Sequence, residues 1–162
     1  MAVAIIMTTG IDTNISTTQH HGTIAIGLGL REGACTADLA ALWQQAQPLW
    51  CRNTPRTPLL IAVLERKREH PALLTFLREH LPFARCMAIS DATLQGILTP
   101  TQSATSLQRF GCGSVCEALA WAAISSLQGI PPRGQWLLLR QISSNRLATL
   151  AMVQSPDLRI SS

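Results

Sequence analysis

The chain has 162 residues, 47% of them apolar and 14% charged, with five cysteines and a formal charge of +4 from 13 basic and 9 acidic side chains. This is apolar material for one domain with a proper core, and it excludes intrinsic disorder; two domains would each be small. The mild basic excess suits an acidic small molecule, whereas four Trp and no Tyr show no regular basic–aromatic interleaving, so nucleic acid is not expected as a partner.

The chain opens MAVAIIM, an apolar run too short to span a membrane and wrongly flanked for a secretion signal. Neither a membrane nor export is expected. Residues 1–22 read as an arm or linker, polar and rich in Thr, Ser and Asn from Thr8 onward; residues 23–155 read as the domain and 156–162 as a tail. The cysteines at 35, 51, 86, 112 and 116 form an odd set with no C-x-x-C pair, which fits reduced thiols of a cytoplasmic protein. Cys112 and Cys116 can share a helix face, but zinc needs two further ligands, and the four histidines lack ligand spacing. No metal is expected, and His20, His21, His70 and His80 read as surface residues.

Thr23 to Ile26 is a short β-branched run that predicts a buried strand. Gly27, Gly29 and Gly33 then predict a loop with positive φ, open to close approach by a ligand. A helix follows from about Thr36, with Asp38 in its first turn and Leu39, Leu42, Trp43 and Ala46 at helical spacing. Amides at that helix start would suit an anion, with Arg31 adding a positive charge; a strand-to-helix turn without any ligand accounts for the same residues. The third glycine falls one residue late for G-x-G-x-x-G, which disfavours a dinucleotide.

The helix is expected to end near Pro48, and CRNTPRTP at 51–58 reads as a loop. Leu59 to Leu64 predicts a second buried strand that runs into the charged burst Glu65 to His70, at the strand end where open α/β sheets hold ligands. A solvated loop explains that burst equally. Pro71 starts a helix with Leu73, Leu74 and Leu77 facing inward. Cys86 to Ile89 is a third strand, followed by a Ser90-Asp91 cap on a brief helix containing Leu94. After a loop at Thr99 to Thr101, a helix through Leu107 and Phe110 stops at Gly111. Ser114 and Glu117 satisfy a reciprocal capping box for an Ala-rich helix reaching Leu127, stopped by Gly129, Pro131 and Pro132. Trp136 to Leu139, a turn at Ser143 to Arg146 and Leu147 to Val153 make a hairpin. The fold class is α/β: a layered α/β/α sandwich with a mixed, mostly parallel sheet and a C-terminal hairpin.

Four segments, in order, resemble the CobE family, equivalent to the C-terminal domain of CbiG, proteins of cobalamin biosynthesis; the match spans residues 23 to about 153. Gly27, Gly29, Arg31 and Gly33 match the family's G-x-G-C-R-R-G-T, with Leu30 for the cysteine and Glu32 for the second arginine. Lys67, flanked by Glu65 and Glu69, matches T-I-D-x-K-x-D-E, with His70 where a glutamate is usual. Gly111, Ser114, Val115, Cys116, Glu117 and Ala118 keep G-x-x-S-V-C-E-A, and Arg140-Gln141 resembles a Lys-Gln pair.

The resemblance implies a cytoplasmic protein, associated with the aerobic route, that binds or carries a corrin-ring intermediate fringed by carboxylates. Arg31, Lys67 and Arg140 would pair with those carboxylates and the amides of Gly29 and Gly113 would hold one at helix starts. Gly27, Gly33, Glu65, Ser114, Cys116 and Glu117 complete the candidate ligand site, with no cofactor. Other cobalamin-pathway enzymes and a second copy of the chain are admitted as partners. The alternative implied is a hydrolase that opens the lactone ring of a precorrin-5-type intermediate, with Glu65 or Glu117 as base and Ser114 or loop amides as oxyanion donors. Cys116 near a helix start is a nucleophile in one reading and a packed thiol in the other. A generic nucleotide-binding domain rests on fold analogy alone.

Overall fold

Side chains alternate along the first strand, β1 (Ile24–Leu30), and the two faces are of different kinds. Ile24, Ile26, Leu28 and Leu30 join one core, while Ala25 belongs to the other. The computed structural model describes residues 22–51, 58–128 and 134–155. Within them follow α1 (Thr36–Cys51), β2 (Leu59–Leu64), a 3₁₀ turn (Glu65–Lys67), α2 (Pro71–His80), β3 (Arg85–Ile89), α3 (Asp91–Leu94), α4 (Ala104–Phe110), α5 (Val115–Gln128), β4 (Gln135–Ile142) and β5 (Ala148–Gln154).

The strands form one sheet in the order β3-β2-β1-β5-β4. β1 pairs in parallel with β2, and β2 with β3, whereas β5 is antiparallel to both β1 and β4. Of these five strands β5 alone runs against the rest, so the sheet is mixed but mostly parallel in direction. Leu39, Leu42 and Trp43 of α1, with Leu73 and Phe76 of α2, cover the branched face. On the other face lies α5, contributing Ala118, Leu119, Ala120, Ala122, Ala123 and Ile124. The α/β/α sandwich with its closing hairpin is as the sequence predicts.

The first strand is longer than expected. It runs through Gly27 and Gly29 to Leu30, because the β5 ladder continues through Gly27↔Ala151 and Gly29↔Thr149 to Leu30↔Ala148. The positive φ expected at Gly27, Gly29 and Gly33 is not adopted; among the described glycines it occurs at Gly96 and Gly111. Gly27 serves another purpose. A Cβ there would collide with the Cys116 carbonyl oxygen and stand 2.8 Å from the Ala120 nitrogen, so glycine lets α5 lie against β1 backbone to backbone.

Three further expectations are corrected. α1 continues through Pro48 to Cys51, since a proline this close to the end forfeits little of the helix's hydrogen bonding. Leu74 is exposed, whereas Leu73 and Leu77 do face the core, together with Ala72 and Phe76. His70 is not a plain surface residue, as described below. The arm at 1–21, most of the 51–58 loop, the Gly129 to Pro132 stop and the tail at 156–162 lie outside the described residues. No single described helix is long and apolar enough to cross a membrane.

Candidate functional site at the carboxyl rim of the sheet

Parallel strands deliver their carboxyl ends to one edge, and the loops leaving them supply the rim. β1 delivers Arg31, Glu32 and Gly33; β2 delivers Glu65 to His70; β3 delivers Ser90 and Asp91. The β4–β5 turn at 143–147 reaches the same edge, because Leu30 pairs with Ala148. Arg31 donates its amide to the Leu147 carbonyl at 2.8 Å, which fastens the first loop to the hairpin.

His70 fastens it to the second loop. Its Nδ1 accepts the Ala72 amide at 3.1 Å, capping α2, which leaves the ring proton on Nε2. That Nε2–H is shared between the carbonyls of Arg31 and Glu32, each at 3.1 Å. One imidazole thus sets the spacing of the Arg31 and Lys67 loops. His70→Ala is expected to cost about 1 kcal/mol of stability through the lost cap, read from urea unfolding. Faster amide exchange in residues 31–34 is expected with it.

At the head of α1, Asp38 accepts from the Cys35 amide at 2.9 Å and from Asn145 of the hairpin at 2.8 Å. The Cys35 amide first, and then the Asn145 carboxamide, hold the Asp38 carboxyl below its usual range. A side-chain carboxylate therefore already serves the α1 start, for which an external anion was one of two readings. The Gly29 amide lies in a strand interior, not at a helix start.

The start of α5 is buried. Gly113, Ser114, Cys116 and Glu117 are all inside, and the Gln102 carboxamide occupies the place a Gly113 side chain would take. The capping box closes one way only: Glu117 N–H donates to Ser114 Oγ at 3.5 Å. The Glu117 carboxylate turns instead to other donors. Oε1 accepts from both the amide and the hydroxyl of Thr101, each at 2.9 Å, and Oε2 accepts from the Arg140 amide at 2.8 Å. Arg140 stands in a β-bulge, where pairing jumps from Leu138↔Met152 to Gln141↔Leu150. A buried carboxylate thus receives the Arg140 amide within the irregular stretch and ties β4 and the 99–102 loop to α5.

Cys116 is a packed thiol. Burial pushes it up to about 11, against smaller opposing effects from hydrogen bonds with Ser114 and Thr149. Burial likewise raises Cys112, and partial desolvation raises Cys86. A thiol at about 11 is roughly one part in a thousand thiolate at pH 8. Of the four cysteines whose side chains are described, a thiol reagent acting on the native protein at that pH is expected to modify the exposed Cys35 fastest and Cys86 more slowly, sparing Cys112 and Cys116 until unfolding. Peptide mapping after a timed pulse checks this, and rapid labelling of Cys116 would return it to the list of nucleophiles.

Arg31 and Glu65 are thus exposed on the rim, Gly33 lies in the exposed loop beside Leu147, and Lys67 and Arg140 are half-buried. Gly27, Gly29, Gly113, Ser114, Cys116 and Glu117 lie behind them as framework. Reading the sequence missed His70, Thr101 and Gln102 as organisers; the only local signal was a proline-centred loop at Thr99 to Thr101. Among the described residues, no three His, Cys, Asp or Glu side chains come together as a metal site would need.

The family model described as cobalamin synthesis G C-terminus matches residues 24–153. The chain belongs to this family. Among solved structures it is similar to CobE, a protein from the cobalamin (vitamin B12) biosynthetic pathway, at 25% identity and a TM-score of 0.64, over 85% of this chain and 94% of that one. It is also similar to the cobalamin biosynthesis protein chiG from Agrobacterium tumefaciens str. C58, with a TM-score of 0.53 over 82% of this chain and 98% of that one; at 18% identity this likeness shows the fold alone. A search of curated proteins finds no match. The cobalamin synthesis G match begins at the first residue of β1 and ends one short of the last of β5, so it takes in the whole sheet.

Proposed function

We propose that this protein binds and carries a polycarboxylate corrin-ring intermediate of cobalamin biosynthesis, on the aerobic route, at the carboxyl rim of its sheet. The observation that supports the reading is that Arg31 and Lys67 stand on two loops leaving the carboxyl edge and laced together by His70, with Arg140 two residues before the end of β4 at that edge. Each charge-assisted contact to a carboxylate is worth about 1.5 to 3 kcal/mol, and a corrin precursor offers many carboxylates. Glu117 supports the rim without touching ligand. Membership of a cobalamin-biosynthesis family supplies the ligand class.

The lactone-opening alternative is less well supported. Its base needs a carboxylate oxygen free for water, and both Glu117 oxygens already accept hydrogen bonds, while Glu65 is open to bulk solvent. The test is to mix the purified protein with hydrogenobyrinic acid or cobyrinic acid, pass it through a desalting column and record the visible spectrum. A carrier retains the pigment unchanged; Arg31→Ala is expected to weaken retention about tenfold and leave the unfolding curve in place. With a lactone-bearing precorrin, release of acetaldehyde would favour the hydrolase. Pigment passing through unbound would refute the carrier reading.

A further inference from the structure

The rim has two sides, one of them flanked by α5. Between the ends of β2 and β3 and the flank of α5 lies an open hollow of about 460 Å³. Its floor is apolar, made by Met87, Ala88, Ile89 and Ala122, and its wall carries Arg68, Ser90 and Thr93. An apolar floor with a few convergent polar groups is the usual make-up of a small-molecule site.

Arg68 lines the hollow itself, and two further arginines, Arg66 and Arg109, gather around Asp91 and Phe110 outside its lining. Arg66 reaches Asp91, in the same turn as the hollow-lining Ser90 and Thr93, at 3.4 Å. Its guanidinium also lies over the Phe110 ring at 5.5 Å from the centroid. Arg109 comes to that ring from α4, at 5.2 Å. Two guanidiniums from separate elements therefore share one aromatic ring, and Arg66 also holds Asp91. Planar guanidiniums fixed on a ring and half open to water present their remaining N–H donors to an incoming carboxylate at little entropic cost. Against the carboxylates of Glu65 and Asp91 stand Arg66, Arg68 and Arg109, which leaves a surplus of one positive charge for an anion.

From this juxtaposition we infer that the hollow beside α5 is a seat for a polycarboxylated ring, whose edge rests on Met87 and Ala122 while its carboxylates meet Arg66, Arg68 and Arg109. The inference builds on the proposed function by naming the ligand's position and three arginines, Arg66 and Arg68 at the variable positions around Lys67 and Arg109 outside the matched motifs.

The test uses the full chain and two probes: cobyrinic acid, and benzenehexacarboxylic acid as a polycarboxylate with no corrin. Arg66→Gln combined with Arg109→Gln is expected to weaken both about tenfold or more. Ser126→Glu, which sets a negative charge on the opposite wall without touching an arginine, is expected to weaken both as well. Circular dichroism checks that each variant is folded. If both variants bind the two probes as the wild type does, the seat is refuted while the carrier reading stands. A wild-type protein that binds benzenehexacarboxylate through these arginines yet ignores cobyrinic acid keeps the seat and loses the corrin. Binding neither probe overturns both.

Discussion

Replacing Gly27 by alanine is expected to cost about 3 kcal/mol, the upper end of overpacking penalties, and to lower the melting temperature by about 6 to 12 °C. The added methyl group would overlap the Cys116 carbonyl oxygen and stand 2.8 Å from the Ala120 nitrogen and 2.9 Å from the Cys116 carbonyl carbon. Those atoms are helix backbone, which has no rotamer to change. The helix must lift from the sheet as a unit, carrying Glu117 away from Thr101 and Arg140. Gly33→Ala is the control, because its methyl group would meet Leu147 Cδ1 at an ordinary 3.6 Å. That change is expected to stay within about 0.5 kcal/mol of wild type. Calorimetry on the three proteins decides the matter, and equal melting temperatures for both variants would contradict the close contact of α5 with β1.

The second large effect is expected at Glu117. Its carboxylate is fully buried and takes hydrogen bonds from the Thr101 amide, the Thr101 hydroxyl and the Arg140 amide. Truncation to alanine strands these three donors, at about 1 to 3 kcal/mol for each buried group left unpaired, for a total of at least about 3 kcal/mol. Glu117→Gln is informative because it preserves shape. One carboxamide end still accepts from Thr101, but the other sets N–H against the N–H of Arg140, so an intermediate loss of about 1 to 3 kcal/mol is expected. Urea unfolding gives the order wild type, Gln, Ala, and hydrogen exchange adds a local reading. The Arg140 amide is expected to lose protection in the Gln variant before the rest of β4. A Gln variant as stable as wild type, with Arg140 still protected, would show that the carboxylate does not hold the bulge.

What was legible in the sequence was whatever short-range pattern decides. Leu59 to Leu64 is six apolar residues bounded by loops, and it is a strand over those residues with every position buried. Ser90 and Gly111 act as the local chemistry demands, a hydroxyl cap and a left-handed stop at φ 72°. The glycines of β1 were misread because their reason lies far along the chain. Nothing near Gly27 reveals that Cys116 will press on it, so G-x-G after an apolar run looks like a loop. The capping box was half right for a similar reason: Ser114 obeys its neighbours, whereas Glu117 answers to Thr101 and Arg140. The arginines on Phe110 escaped notice because Arg66 and Arg109 belong to separate segments that only the folded chain brings to one ring.

The place of β5 in the sheet has a consequence for how the protein is made. It is the last of the described strands in sequence, yet it lies between β1 and β4, next to the central strand. While the ribosome is still translating the helical middle of the chain, β1 therefore presents one bare hydrogen-bonding flank, a site for mispairing with other nascent polypeptides. Only when residues 148–154 leave the exit tunnel can that flank be sealed. Closure of the sheet on that side therefore waits for β5, and a pause in translation before those codons is expected to lengthen the exposure.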